Sequence, residues 1–134
     1  MIWTDNTPTP SQIIRTKVKF YHHYGIFISE NEVIQFGLPD DPGRSADNIK
    51  VLSTDIKTFL GDGELETAMP TKEEKKSMRS PDEIIKIARS RIGEGGYNIL
   101  HNNCEHFVNS CVFAESYSNF LDNIRAKIRN QLGK

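Results

Sequence analysis

Apolar residues in the first half of the chain gather in short runs rich in aromatic and β-branched types, the pattern of strands. In the second half they recur every three or four, the spacing of a helix. Ile13 to Lys19 makes a first strand candidate. Phe20-Tyr21-His22-His23-Tyr24-Gly25-Ile26-Phe27-Ile28, rich in aromatic and β-branched residues, makes a second. Ser29 to Glu32 reads as a tight connection, and Val33-Ile34-Gln35-Phe36 as the return strand of a hairpin. Leu38 to Asn48, with Pro39, Asp40, Asp41, Pro42 and Gly43, carries a loop signal. Ile49 to Leu52 is a short strand, after which Ser53 or Thr54 caps a short helix running through Leu60 to a stop at Gly61-Asp62-Gly63. Glu64 to Met69 is a further strand. Residues 1–10 read as an irregular lead-in, and Thr71 to Arg79 as a solvated loop.

The helical period then takes over. Ser80-Pro81-Asp82-Glu83 combines a cap, a proline at the first helical position and a capping-box glutamate. Ile84, Ile85, Ala88 and Ile92 follow as a stripe, with Gly93 as the stop. After a Gly95-Gly96 turn, Tyr97 to Leu100 leads to a second helix beginning near Asn103. Phe120, Ile124, Ile128 and Leu132 share one face of a final amphipathic helix over 117–134. Strands first and helices last predict an α+β fold, a small antiparallel sheet packed against helices. At 134 residues the chain is one domain, 1–134.

Charge and composition narrow the function. The formal net charge of -1 gives no global basic field, so nucleic acid is not an expected partner. No apolar run approaches the roughly 18 residues of a membrane span. The start, Met1-Ile2-Trp3-Thr4-Asp5-Asn6, has no basic and then apolar leader, which points to the cytoplasm. The two cysteines, Cys104 and Cys111, would stand roughly 10.5 Å apart on one helix. That separation is too wide for a disulfide.

The candidate chemistry gathers at Cys104. Asn102 or Asn103 can cap the helix, which puts Cys104 in its first turn, where unpaired N–H groups and the helix dipole favour an anion. A thiolate is such an anion, so a lowered thiol pKa is expected. The same N–H groups can hold an oxyanion. Cys104, Phe107, Val108, Cys111 and Val112 form one inward stripe, so the sulfur heads the buried face. Of four histidines, His106 stands at a poor spacing from Cys104 for a shared helix face, and His101 lies in the approach to the helix. His22 and His23 alternate across the sheet. His23 shares parity with Gly25, which leaves room for another side chain to approach, and this favours His23. Gln35, the polar residue in an apolar strand, projects from the same face as His23 and can orient its imidazole. A metal site from His101, Cys104 and His106 lacks the spacing of known ligand pairs, and neither a metal nor a cofactor is expected.

Two stretches resemble the lecithin:retinol acyltransferase-like family, a permuted relative of NlpC-type papain-like peptidases. His23-Tyr24-Gly25-Ile26-Phe27-Ile28 is similar to its His-Trp-Ala-Ile-Tyr-Val block. Asn103-Cys104-Glu105-His106-Phe107-Val108-Asn109 is similar to its nucleophile motif essentially residue for residue. The likeness covers about Pro10 to Ser116 and implies a permuted papain-like fold. It implies Cys104 as nucleophile and His23 as base. The third position, histidine in several animal members, is Gln35 here, and Tyr21 falls where a phenol can join the Cys104 N–H at the oxyanion. The usual Pro-Gly-Asp opening stands here as Pro10-Ser11-Gln12.

The resemblance implies a thiol acyltransferase or acyl hydrolase, acting on phospholipid or other acyl esters through an acyl-thioester. An NlpC-type amidase or peptidase is the alternative. A non-catalytic membrane or protein adaptor is another, because residues 120–134 join an apolar stripe to Arg125, Lys127, Arg129 and Lys134 and can lie peripherally on anionic lipid.

Overall fold

The computed structural model describes residues 1–18, 21–37, 49–96 and 103–114, with only the backbone described at Val18 and Tyr21. The loop expected over 38–48, the lead-in from Tyr97, His101 and the helix expected over 117–134 lie outside the described residues. In chain order the elements are β1 (Ile2–Thr4), β2 (Ile13–Val18), β3 (Tyr21–Ser29), β4 (Glu32–Gly37), β5 (Lys50–Thr54), α1 (Ile56–Leu60), β6 (Glu66–Met69), α2 (Lys72–Lys76), α3 (Pro81–Ser90) and α4 (Cys104–Val112). The six strands form one sheet in the order β1-β6-β2-β3-β4-β5, with every neighbour antiparallel. The fold is α+β, as expected.

Three local expectations change. The lead-in contains β1, which closes one edge of the sheet by pairing Ile2 to Thr4 with Met69 to Thr67. The short helix is capped by Asp55, whose carboxylate accepts from the Thr58 N–H at 2.7 Å, rather than by Ser53 or Thr54, which belong to β5. Thr71 to Arg79 contains a helix, α2, held by a reciprocal capping box between Thr71 and Glu74. That box was written in the sequence as Thr71-Lys72-Glu73-Glu74, but the charge run around it masked the signal.

Two apolar layers lie on opposite faces of the sheet. On one face α3 and α4 cover Ile13, Ile26, Ile34, Phe36, Val51 and Ala68 with Ile84, Ala88, Phe107, Val108, Cys111 and Val112. Burying a Val, Leu, Ile or Phe side chain contributes about 1.5–3 kcal/mol, so this layer is the main store of stability. On the other face Phe59 of α1 packs on Ile14, Phe27 and Val33. Gly25 makes that contact possible, since a Cβ there would stand 2.8 Å from Phe59 Cε2 and 3.0 Å from Val33 Cγ1. Arg79 fastens the far end of α4 by donating to the carbonyls of Ser110, Cys111 and Phe113 at 2.7–3.2 Å. Ser11, where the resembled family has glycine, sits at φ 83°, in the left-handed region, while its N–H donates to Phe27 O at 2.8 Å.

Candidate active site

Asn103 caps α4. Its side-chain oxygen accepts from the N–H groups of Glu105 at 3.0 Å and His106 at 3.1 Å, and its carbonyl accepts from Phe107 N–H at 3.0 Å. The His106 ring returns a bond, Nδ1 accepting from the Asn103 N–H at 3.4 Å, so His106 completes the cap. Its place three residues after the capping Asn was the sequence signal for this role. These bonds use the second, third and fourth N–H groups of the helix. Among the described residues the first, on Cys104, has no hydrogen-bond partner.

Cys104 is buried and its thiol is directed at His22 O, 4.0 Å away. Phe27 sends both its N–H and its C=O toward Gln12 and Ser11, on the β2 side. Successive residues of a strand face opposite edges, so His22, Tyr24 and Ile26 face β4. The β3–β4 register ends at Gly25↔Gln35, while β4 continues through Phe36 and Gly37 against β5. Cys104 therefore meets β3 at the edge where its ladder with β4 stops, and the backbone N–H of Tyr24 favours its thiolate.

Burial decides the state of the thiol. It pushes the Cys104 pKa up, and the Glu105 carboxylate adds to that, against the N–H groups of Tyr24, Glu105 and Cys104. The sequence argument expected a thiol lowered by its helix terminus. The terminus acts in that direction, but desolvation outweighs it. Cys111 is likewise raised by burial, against the nearby Arg91 guanidinium, and both cysteines are free.

His23 stands on the other face. The helix α4 packs on the apolar parity of β3, not on the parity of His23 and Gly25, because its own stripe is apolar. The space beside Gly25 goes to Phe59. The His23 ring lies 5.1 Å from the Phe59 ring and reaches across the gap to β4, with Cε1 3.3 Å from where a Gly37 Cβ would stand. Its Nε2 bonds Gln35 Oε1, and the Gln35 amide donates to Thr54 Oγ1 at 2.8 Å. Nε2 then carries the proton and Nδ1 keeps its lone pair. Burial lowers the His23 pKa below its usual value, against the Gln35 bond, so the ring is neutral at pH 7.

The structure thus joins His23 to Gln35, on the sheet face opposite to the one that α4 covers. No hydrogen bond links the Cys104 thiol to the His23 ring. Tyr21 contributes backbone to β3 at this end of the strand, and its side chain is outside the description. Sequence reading missed Thr54, which shares a face with Gln35 across the β4–β5 pairing, and it had no signal for a backbone group such as the Tyr24 N–H. Among the described residues no helix is long and apolar enough to cross a membrane.

Comparison with known proteins adds to this geometry. The family model of lecithin retinol acyltransferase matches residues 6–117. Lecithin retinol acyltransferase of Bos taurus is 29% identical over 133 residues, covering 81% of this chain and 58% of that protein. The proteins of the same name from Homo sapiens and Mus musculus are 28% and 29% identical, each over 81% of this chain and 58% of their own length. The chain thus spans under two thirds of these relatives. With a family match that begins before β2 and ends beyond α4, the chain belongs to the lecithin retinol acyltransferase family.

Proposed function

We propose that the chain is a cysteine-dependent acyltransferase or acyl hydrolase that takes an acyl group from a phospholipid or other acyl ester as a thioester on Cys104. The observation that carries this is the buried thiol at the head of α4, at the open end of the β3–β4 ladder, with a neutral histidine bonded through Nε2 to Gln35 on the other face of the same strand. His23 Nδ1 is the basic nitrogen that Gln35 leaves unbonded, and the reading requires it to approach the sulfur. Thiol and imidazole are both neutral at rest, so the chemistry is general base catalysis rather than attack by a standing thiolate.

In the first step His23 Nδ1 takes the thiol proton while Sγ bonds to the ester carbonyl carbon. Collapse of the tetrahedral oxyanion breaks the bond to the alcohol oxygen, which leaves with the proton from His23. In the second step His23 removes a proton from water or an acceptor alcohol or amine, which attacks the thioester and returns the thiol. The relatives are named for lecithin and retinol, which favours a lipid ester as donor. Gln35 acts as a positioning residue that keeps His23 in the tautomer with Nδ1 free.

Mass spectrometry of the intact protein after exposure to a phospholipid in mixed micelles, and separately to p-nitrophenyl acetate, tests the reading. A single acyl adduct on Cys104, absent in Cys104→Ala and strongly slowed in His23→Gln, is expected. Adducts that form on Cys111, or equally in both variants, would overturn it.

A further inference from the structure

The acyl-enzyme reading needs two donors at the oxyanion, and the helix supplies one free N–H, that of Cys104. We infer that the second is the backbone N–H of Tyr24, released because β4 leaves β3 one residue too early to pair with it. This inference rests on the acyl-enzyme reading and extends it.

Two observations converge on that N–H. The β3–β4 register stops at Gly25↔Gln35, so the next N–H on the same edge of β3, that of Tyr24, has no ladder partner among the described residues. An N–H two residues after a carbonyl points to the same edge of an extended strand, and the carbonyl in question, His22 O, lies 4.0 Å from Cys104 Sγ. The sulfur therefore sits where a β4 residue would otherwise receive the Tyr24 N–H. When Sγ bonds to the ester carbonyl carbon, the charge develops on the carbonyl oxygen one bond beyond that carbon, in reach of a donor on the strand edge beside the sulfur. Such a donor is fixed before the reaction by the strand, which is the condition for strong stabilisation of charge that appears only in the transition state.

The expected partner for the Cys104 N–H was the Tyr21 phenol. A main-chain donor needs no particular side chain at position 24, where this chain carries Tyr in place of the family's Trp.

Replacing the amide between His23 and Tyr24 by an ester, through incorporation of the α-hydroxy analogue of tyrosine at position 24, removes that one N–H. The matched control is the same change at Ile26, whose N–H is inside the ladder with Ile34. The position-24 ester should slow acylation of Cys104 by p-nitrophenyl acetate about 100- to 1000-fold, the usual cost of one oxyanion donor. It should lower the melting temperature only slightly, through the weaker ester carbonyl of His23 in the ladder with Thr16. The position-26 ester should lower the melting temperature and acylate at close to the normal rate. Alkylation by iodoacetamide, which passes through no oxyanion, separates charge stabilisation from an effect on the thiolate. At alkaline plateau it should be nearly unaffected by the position-24 ester. An unchanged acylation rate, or equal slowing of acylation and alkylation, would overturn the inference while leaving the acyl-enzyme reading intact. Failure of the unmodified protein to form any Cys104 adduct would instead overturn that reading and this inference with it.

Discussion

The two faces of the sheet at the open end of the β3–β4 ladder differ in kind. The α4 face is apolar and brings the proposed nucleophile in as part of a core stripe: Cys104 is 7% exposed and Phe107, Cys111 and Val112 are 0–1% exposed. The α1 face is polar at the same level, with His23, Gln35 and Thr54 in one bonded chain. Packing holds the sulfur, and hydrogen bonds hold the ring. The lesson is that one strand end can present an apolar layer on one face and a hydrogen-bonded polar chain on the other. A helix with an apolar stripe can then be docked for stability while its first residue serves chemistry.

The comparison can be broken at each side. The largest effect is expected at the nucleophile: Cys104→Ala abolishes acyl-adduct formation in mass spectrometry, whereas Cys111→Ala, within the same stripe, leaves it intact and lowers only stability. Next is the base. His23→Gln should slow Cys104 acylation by about 100- to 10,000-fold in single-turnover kinetics, with iodoacetamide alkylation slowed less at high pH, where the thiol ionises unaided.

The same variant changes the response to acid. His23 is held below its ordinary pKa of 6.5 by burial. The unfolded chain therefore takes up a proton in a pH range where the folded protein does not. Stability of the unaltered protein should fall as pH drops from about 6.5 toward the lowered value and then level off. In His23→Gln that part of the pH dependence of the urea midpoint should disappear.

Smaller effects test the scaffold of the α1 face. Gly25→Ala places a methyl 2.8 Å from Phe59 Cε2 and 3.0 Å from Val33 Cγ1, both in buried side chains. A loss of about 1–3 kcal/mol in chemical denaturation is expected, and Phe59→Leu in the same chain should recover part of it. Ser11→Gly works in the other direction. It relieves a non-glycine residue at φ 83°, and a gain of about 1 kcal/mol is expected because the left-handed region costs an L-residue roughly that much. A loss of stability would show that the Ser11 side chain, rather than its backbone, matters to the packing.

Much of this was legible in the sequence because it depends on local spacing. The α4 stripe, the Ser80 cap, the hairpin from β3 to β4 and the shared parity of His23 and Gln35 all follow from periods of 3.6 and 2, which neighbouring residues define among themselves. The capping box of α2 was also local and was hidden by the charged residues around it. What failed was of another kind. Strand β1 exists only because β6 offers an edge 65 residues later in the chain, as in the pairing Thr4↔Thr67 and Ile2↔Met69. The face on which α4 lands, and the gift of the space beside Gly25 to Phe59, are set by competition between whole layers. The thiol pKa was misjudged for the same reason: a cap is visible in sequence, whereas the desolvation that outweighs it comes from distant segments.

The sequence by itself determined most of the elements and which residues share a face within them, since residue type and short-range periodicity are properties of the chain. Only the tertiary structure decided that β4 parts from β3 after Gln35, that Cys104 fills the vacated edge, and that the imidazole waits on the opposite side. Those are outcomes of where strands stop pairing and which apolar surfaces find each other, and both depend on contacts between residues far apart in the chain.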